Sequence, residues 1–422
     1  MISERCNGGF YDPSMLFAER RFIKMKILLI SAFFPPDIGG IPNVLNTLLP
    51  LLIQKMEKES SIYLLTAQGN PSWFDGCKCL DNTSYNIARE YTQSYYDLGY
   101  RSWDEQKNVL DSYIRSIIDQ IAPLKLDAII SFTDVYIANY IGNTLEVPAV
   151  NAFHGIIPTE AELRKYHKRI VPYYSQLIAL NYTYTSYSIH ISRFAEKKWS
   201  ERGLKSFQSS VIYNPFDLKS YSKADVCPWL SSCLGIPANA PILLYPQRLK
   251  KLGMEFLFQN LDKILCKFPD LYCVICGIDD VALLKEYHIS EKYFKRIRYK
   301  VFSSKEMKSI YKMAAVTCLV CQDGFGMPAI ESLASGTPVV ATDNGPFNEI
   351  LEDNASAFFY ADNDLDSFIS KLKVALDNYE NQGEKISLLT QKEMKQFSAE
   401  YIADQYLMFI NSSIKHFWGL AK

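Results

Sequence analysis

Short apolar runs alternate with helix-length segments along most of the chain, and this alternation constrains the fold more than any other feature. A first series of strand-like runs covers residues 27–31, 61–66, 128–131, 147–151, 187–192 and 210–213. A second series covers residues 242–245, 272–276, 316–320 and 338–341. Strands that alternate with helices favour a parallel sheet with helices on both faces. The sequence therefore predicts an α/β fold made of two similar, doubly wound halves.

The chain of 422 residues is long enough for two domains at roughly 100 to 200 residues per domain. We predict a first domain over residues 25–217, a second over 218–395 and a final helix over 396–422. Residues 1–24 have no periodic pattern, so we interpret them as a poorly ordered extension or a start-site artefact. The turn-rich residues 214–240 are expected to link the two domains.

Basic and acidic side chains balance, 45 against 46, which gives a net charge of −1. This balance argues against nucleic acid as a partner, because the overall field would not attract it. Any charged partner must therefore be bound locally.

No apolar run approaches the roughly 18 residues that a membrane-spanning helix needs.

Ten cysteines are scattered along the chain, and the segment before Met25 lacks the apolar core of a secretory signal. Both features favour a reducing, cytoplasmic location. Cys273 and Cys276 could form a metal pair or be two buried thiols. Residues three apart on a strand point to opposite faces, which favours the buried thiols over a metal site.

The stretch that begins at Asp323 combines a glycine turn, a helix and a following strand. Gly326 lies in the turn, and Met327 and Pro328 begin the helix. A helix N-terminus presents N–H groups and a partial positive charge, so it suits a phosphate. Asp323 and Glu331 bracket this position and could accept hydrogen bonds from sugar hydroxyls. The alternative interpretation makes Asp323 a turn residue and Glu331 an acid that complements the helix dipole.

Three basic side chains follow the strand-like run 242–245, namely Arg248, Lys250 and Lys251. Ligands of open α/β sheets bind outside the carboxyl ends of the strands. A guanidinium and an ammonium at this position could therefore neutralise a diphosphate. Taken alone, such a cluster is also compatible with a solvated edge.

Two further candidates follow strands of the first half. Gly39 and Gly40 lie in the loop between the first strand and a helix with Pro42 in its first turn. His154 follows the strand-like run 147–151 and precedes Gly155. A histidine at a strand end can be a hydrogen-bonded structural group as well as a catalyst.

Together these motifs resemble the GT-B fold glycosyltransferases, closest to family 4 (glycosyl transferases group 1), over nearly all of the chain after residue 25. The resemblance is strongest where Asp323 and Glu331 are separated by seven residues and followed by Gly-Thr-Pro-Val-Val. It implies two Rossmann-like domains that face each other across a cleft, with the acceptor on the first and the donor on the second. It also implies that Glu331 binds the nucleotide ribose, that Asp323 contacts the donor sugar, and that Arg248 and Lys251 hold the diphosphate.

The same resemblance assigns roles outside this segment. Gly39 and Gly40 close over the phosphate, and His154 lies near the donor sugar. Gly326, Met327 and Pro328 contribute to nucleotide binding at the helix start, and the final helix returns to the first domain. The nucleotide diphosphate sugar is the donor substrate, and no cofactor or metal is implied.

Four positions depart from the family pattern. Asp323 stands where glutamate is usual, Gly345-Pro346 replaces a paired glycine, and Asn214 is not followed by glycine. The loop after Arg248 is one residue short, so either Lys250 or Lys251 could be the phosphate lysine, and we favour Lys251.

The resemblance thus implies a metal-independent, retaining transfer of sugar to a glycan, a lipid-linked acceptor or a small molecule, as in the synthesis of cell-surface polysaccharide. A non-catalytic scaffold that binds nucleotide sugar or glycan as a partner subunit is the alternative. A nicotinamide-dependent oxidoreductase is disfavoured because the loop after the first strand lacks the GxGxxG spacing. The basic, aromatic residues 162–174 could contact a membrane surface peripherally or form a solvated helix face.

Overall fold

The computed structural model describes residues 24–35, 39–67, 76–89, 103–156, 177–181, 183, 185–247, 254–277, 284, 287–320, 323–351, 354–379, 386 and 395–420. The chain divides into two compact units, with boundaries between Phe216 and Asp217 and between Ser398 and Ala399. The last segment, from Ala399 onward, belongs to the first unit.

The first unit is built on a seven-stranded parallel sheet. Its strands are β1 Lys26–Ser31, β2 Ser61–Thr66, β3 Cys77–Cys79, β4 Ala128–Ser131, β5 Ala149–Phe153, β6 Ser186–His190 and β7 Gln208–Val211. The spatial order is β3-β2-β1-β4-β5-β6-β7, and every pairing is parallel. The chain therefore builds outward from β1 in one direction and from β4 in the other.

Helices cover both faces of this sheet. They are α1 Gly40–Lys55, α2 Trp103–Ile121, α3 Val135–Leu145, α4 Arg193–Glu201 and, from the end of the chain, α13 Ala399–Leu420. Alternate residues of β1 enter different cores, Leu28 and Ile30 on one side and Ile27 and Leu29 on the other. Burial on both faces explains why the strand is an uninterrupted apolar run.

Helix α13 packs against α1. Its residues Ile402, Tyr406 and Ile410 are buried in the same core as Leu45 and Leu48 of α1. The end of the chain therefore completes the core of the first unit, although more than 180 residues of the second unit separate it from β7.

The second unit is built on a six-stranded sheet, also entirely parallel. Its strands are β8 Ile242–Tyr245, β9 Tyr272–Cys276, β10 Ile297–Lys300, β11 Val316–Leu319, β12 Val339–Thr342 and β13 Ala357–Tyr360. The spatial order is β10-β9-β8-β11-β12-β13. Its helices are α5 Leu218–Ser222, α6 Trp229–Leu234, α7 Met254–Lys267, α8 Glu291–Phe294, α9 Ser304–Met313, α10 Met327–Ala334, α11 Phe347–Leu351 and α12 Leu365–Tyr379.

The predicted α/β fold with two doubly wound parallel sheets is confirmed. Ten strand-like runs of the sequence coincide with strands to within about two residues, and β2, β4, β8 and β9 match their predicted bounds. Sequence reasoning missed β3, β10 and β13, which lie at the sheet edges. Edge strands bury less apolar surface, so their sequences carry a weaker apolar signal.

The prediction that residues 214–240 form a linker was wrong for most of that segment. It contains α5 and α6, and Leu230 and Leu234 are buried in a core of the second unit. Asp217 caps α5 by accepting a hydrogen bond from the Ser220 amide at 3.2 Å. The prolines and turn residues of this segment lie at the ends of short helices, because proline is tolerated just before a helix begins.

Cys273 and Cys276 lie on β9 and are both buried, one in each core of the second unit. Their side chains therefore point to opposite faces of the sheet, as strand alternation predicts. Burial raises the pKa of Cys273 to about 12.

Candidate functional site

The second sheet reverses its direction of growth between β8 and β11, which are hydrogen-bonded neighbours. In open α/β sheets the crevice at such a reversal is where ligands bind. Asp323 follows β11 there. Arg248, Lys250 and Lys251 follow β8 in sequence, but they lie outside the described residues.

Helix α10 begins at this edge with a tight turn. Gly326 caps the helix with φ of 92°, and Pro328 lies in the first turn. A φ in this range is the left-handed region that glycine tolerates without strain. Met327 is the first helical residue, so its N–H belongs to the group that the helix itself leaves without a partner. The start of α10 therefore has the geometry that favours an anion.

Asp323 is half-buried at the beginning of this turn. Its Oδ1 accepts a hydrogen bond from the Gly324 amide at 2.7 Å, so the carboxylate also shapes the turn. The structural and the sugar-binding interpretations of Asp323 are therefore compatible, because a carboxylate has two oxygens and about four acceptor positions.

Glu331 lies one turn further along α10 and is held by two tyrosines. The Tyr221 hydroxyl donates to Oε1 at 3.0 Å, and the Tyr311 hydroxyl donates to Oε2 at 2.7 Å. Burial raises the pKa of the Glu331 carboxyl, whereas these two hydrogen bonds and the nearby Lys308 act in the opposite direction. Glu331 is thus a positioned carboxylate and not only a charge that complements the helix dipole.

Sequence reasoning missed Tyr221 and Tyr311. They lie 110 and 20 residues before Glu331, on α5 and α9, and neither belongs to a motif. One indirect signal is the capping box of α9, where Ser303 and Glu306 mark the helix start. That signal locates α9 but does not identify what its tyrosine contacts.

In the first unit, Gly39 and Gly40 lie where α1 begins, after β1. Gly39 caps the helix, and its carbonyl accepts a hydrogen bond from the Asn43 amide at 3.2 Å. A β-carbon at Gly40 would meet no atom within 4 Å. The backbone at this point is therefore open to close approach by a ligand.

His154 follows β5 at the carboxyl edge of the same sheet. Its ring stacks on Phe132 with a centroid separation of 5.2 Å. Burial lowers the pKa of His154 to about 4, with the nearby Asn214 side chain acting in the opposite direction. Nε2 is buried and has no hydrogen-bond partner among the described residues. The ring is therefore neutral near pH 7. Its Nε2 could donate a hydrogen bond to a ligand or accept one from it, since no group in the described part of the unit bonds to it.

A polar cluster that sequence reasoning missed lies where the first sheet reverses direction, between β1 and β4. The Tyr85 hydroxyl donates to Asp134 Oδ2 at 2.6 Å, and Arg89 Nε lies 3.9 Å from Asp134 Oδ1. The Arg89 guanidinium also lies over the ring of Phe33, which is 46% exposed. This cluster occupies the ligand-binding edge of the first sheet.

The candidates thus fall into two groups. Asp323, Gly326, Met327, Pro328 and Glu331 share one turn and one helix of the second unit. The first unit carries the other group at its own sheet edge.

Those first-unit residues are Gly39, Gly40 and His154.

Across the described ranges, no three His, Cys, Asp or Glu side chains are grouped as metal ligands would be. Among the helices within those ranges, none has the length and apolarity needed to cross a bilayer.

Residues 231–387 match the family described as glycosyl transferases group 1. These residues lie within the second unit and include β8, β11 and α10. The second unit belongs to the glycosyl transferases group 1 family. The predicted resemblance is therefore confirmed for the part of the chain that carries its strongest motif.

Curated relatives of this group 1 domain are similar over part of their length. The phosphatidyl-myo-inositol mannosyltransferase of Mycolicibacterium smegmatis is 26% identical over 231 residues, which are 54% of this chain and 55% of the relative. The D-inositol 3-phosphate glycosyltransferase of Corynebacterium urealyticum is 30% identical over 134 residues, 29% of this chain and 32% of the relative. The chain thus spans about half or less of the length of these relatives.

Solved structures resemble the chain over nearly its whole length. A glycosyltransferase from Rickettsia africae matches with a TM-score of 0.66 at 16% identity, covering 93% of this chain and 99% of the other. The Anabaena protein HepE in complex with UDP also matches with a TM-score of 0.66, at 15% identity, covering 92% and 100%. At this identity the likeness shows the fold alone. It agrees with the predicted GT-B fold, of which the group 1 domain forms a part.

Proposed function

We propose that the chain is a retaining glycosyltransferase of family 4 type that transfers a sugar from a nucleotide diphosphate sugar without a metal. The observation that carries the proposal is the Glu331 carboxylate, held by two tyrosine hydroxyls one turn after the glycine cap of α10. A fixed carboxylate beside an anion-favouring helix start suits a ligand that joins a ribose to a diphosphate.

In this proposal Arg248 and Lys251 neutralise the diphosphate together with the start of α10 at Met327. Negative charge develops on the diphosphate as it leaves, and preorganised donors stabilise that charge without a metal. Gly326 and Pro328 shape the turn that brings the backbone to the phosphate.

On the side of the first unit, Gly39 and Gly40 allow the backbone to approach the phosphate. His154 contacts the donor sugar as a neutral imidazole, in keeping with its lowered pKa of about 4.

Asp323 contacts the donor sugar, and Glu331 binds the ribose. The bond between the anomeric carbon and the diphosphate oxygen breaks as the bond to the acceptor oxygen forms on the same face. The acceptor proton passes to the departing diphosphate. A carboxylate near the sugar would stabilise the positive charge that develops there in the transition state.

The first experiment is a thermal-unfolding screen against nucleotide sugars, because a ligand at a hundred times its dissociation constant adds about 2.7 kcal/mol of stability. The stabilising donor is then incubated with and without glycan and lipid-linked acceptors, and nucleoside diphosphate release and sugar transfer are measured. Transfer supports the proposal. Binding with neither hydrolysis nor transfer would support a non-catalytic scaffold that acts as a partner subunit.

A second experiment tests the diphosphate residues. Arg248→Ala and Lys251→Ala should each weaken the binding of UDP more than the binding of uridine, by about 1.5 to 3 kcal/mol for a charge-assisted contact. Lys250→Ala serves as the comparison that decides which lysine meets the phosphate. Equal losses for UDP and uridine would remove these residues from the site.

We also propose a cytoplasmic location with peripheral contact between residues 162–174 and anionic lipid, which would suit a lipid-linked acceptor in the synthesis of cell-surface polysaccharide. This segment lies outside the described residues. Flotation with vesicles that contain phosphatidylglycerol, compared with neutral vesicles, tests the contact. Binding that is equal on both would contradict it.

A further inference from the structure

We propose that Tyr221 and Tyr311 are positioning residues that hold the Glu331 carboxylate at the orientation in which it accepts hydrogen bonds from a ligand ribose. The inference rests on the proposed nucleotide site and deepens it. Neither tyrosine needs to touch the ligand.

The geometry divides the two tyrosines between the two carboxylate oxygens. Tyr221 donates to Oε1 and Tyr311 donates to Oε2. With only one hydrogen bond the carboxyl group could still rotate about its terminal torsion, because the range of angles allowed for that torsion is broad. Two bonds, one to each oxygen, fix the plane of the group. Each oxygen keeps a second acceptor position for a ligand hydroxyl.

The two tyrosines are themselves anchored. Tyr311 is fully buried on α9, and its carbonyl accepts a hydrogen bond from the Thr337 hydroxyl at 2.6 Å. Tyr221 lies on α5, which is tied to α9 because Lys312 Nζ donates to the Ser222 carbonyl at 2.7 Å. Helix α10 packs against both α5 and α9. Tyr221 and Tyr311 thus form a clamp on Glu331, and this clamp is built on three packed helices.

The electrostatics give the clamp a second effect. Burial raises the pKa of Glu331, and the two tyrosine hydroxyls lower it by stabilising the carboxylate. Within the described part of the second unit, the other titratable or charged groups that face Glu331 are Lys308 on α9, which also acts to lower its pKa, and the buried thiol of Cys276 on β9.

Lys308 does not form a third clamp. Its Nζ lies over the ring of Tyr221, 5.1 Å from the centroid. Loss of either tyrosine hydroxyl would therefore leave the effect of burial on the Glu331 pKa less opposed. The pKa would rise, and Glu331 would become protonated at a higher pH.

The experiment measures UDP affinity by calorimetry from pH 5.5 to 8.5 for the wild type, Tyr221→Phe, Tyr311→Phe and Glu331→Gln. We expect each phenylalanine variant to bind UDP about tenfold more weakly at the acid end, equivalent to about 1.4 kcal/mol. The loss should shrink toward pH 8.5, because the variant carboxyl ionises again at higher pH. Tyr299→Phe, on β10, is the matched control and should retain the wild-type profile.

Direct titration of the carboxyl carbon supplies a readout that does not depend on the ligand. In protein labelled with ¹³C at glutamate Cδ, the Glu331 signal is identified by its absence in Glu331→Gln. We expect its pKa to move upward in both tyrosine variants and to stay in place in Tyr299→Phe. Thermal unfolding confirms that each variant is folded, and Tyr221→Phe suffices if the fully buried Tyr311 does not tolerate substitution.

The outcomes separate the two proposals. If Glu331→Gln weakens UDP binding but the tyrosine variants keep the wild-type affinity, pH profile and carboxyl titration, the clamp is overturned and the nucleotide site stands. If Glu331→Gln binds UDP as the wild type does, the nucleotide role of Glu331 is overturned, and with it the clamp.

Discussion

Gly326 lies directly against the ring of Phe347. A β-carbon at Gly326 would lie 2.6 Å from Cε1 and 2.9 Å from Cδ1 of that ring. Phe347 is fully buried and begins α11, after β12, whereas Gly326 precedes α10, after β11. The contact therefore joins the loops that leave two neighbouring strands, at the start of the helix proposed to meet the phosphate.

Replacing Gly326 with alanine should destabilise the second unit by about 1 to 3 kcal/mol, because both the positive φ and the ring oppose a β-carbon. Urea unfolding measures the change. Gly345→Ala is the control on the same ring, since its β-carbon would lie 3.5 Å from Cδ2 of Phe347, an ordinary contact distance. Equal destabilisation by both substitutions would contradict the argument.

The two acids should separate into different kinetic effects. Glu331→Gln should raise the dissociation constants of both UDP and the donor, because the ribose is common to them. Asp323→Asn should leave UDP affinity nearly unchanged and lower turnover, because a contact that strengthens as the sugar becomes cationic acts in the transition state. Nucleotide titration and donor turnover on both variants provide the measurement.

Asp323→Glu refines this test, because it restores the length usual in the family. We expect it to retain substantial activity or to change sugar preference. Wild-type turnover in Asp323→Asn, together with unchanged UDP affinity in Glu331→Gln, would remove both acids from the site.

Burial of His190 should make the protein less stable in mild acid. Its ring is 2% exposed and stacks on Phe153, and burial lowers its pKa from 6.5 to about 3. Between these values the unfolded chain binds a proton that the folded chain does not, so stability falls as the pH decreases. The contribution is about 1.4 kcal/mol per pH unit within that window.

Urea unfolding at pH 7, 6, 5 and 4 tests this expectation. His190→Phe keeps the aromatic stack and removes the titrating group, so its stability should fall less steeply below pH 6.5 than that of the wild type. His416→Gln changes an exposed histidine and keeps the buried one. Identical slopes for the wild type and His190→Phe would show that His190 does not contribute.

Helix α13 should be essential for the first unit. Ile410 is fully buried against the core that contains α1. Ile410→Ala should cost about 2 to 5 kcal/mol, because it removes buried methyl groups and leaves a cavity. Lys415→Ala, at an exposed position of the same helix, should change the stability by less than about 0.5 kcal/mol. Chemical unfolding of both variants makes the comparison.

Much of the fold could be predicted because its signals are local. Residues Ile27 to Ile30 are apolar at successive positions since both faces of β1 are buried, and the same holds for β8. The turn at Gly326 and the helix that begins at Met327 are likewise encoded by neighbouring residues. The segment 214–240 misled the prediction because its prolines punctuate helices as readily as they mark a linker.

Local patterns in the amino-acid sequence predict the two parallel sheets, the glycine turn before α10 and the acidic pair Asp323 and Glu331 at the carboxyl edge of the second sheet. No local pattern predicts that Tyr221 and Tyr311 hold Glu331, or that Phe347 fills the space beside Gly326, and both contacts are evident from the folded structure. The physical reason lies in the range of the interactions. Strand burial and helix caps depend on residues within a few positions, whereas hydrogen bonds and ring contacts between helices depend on how distant elements pack.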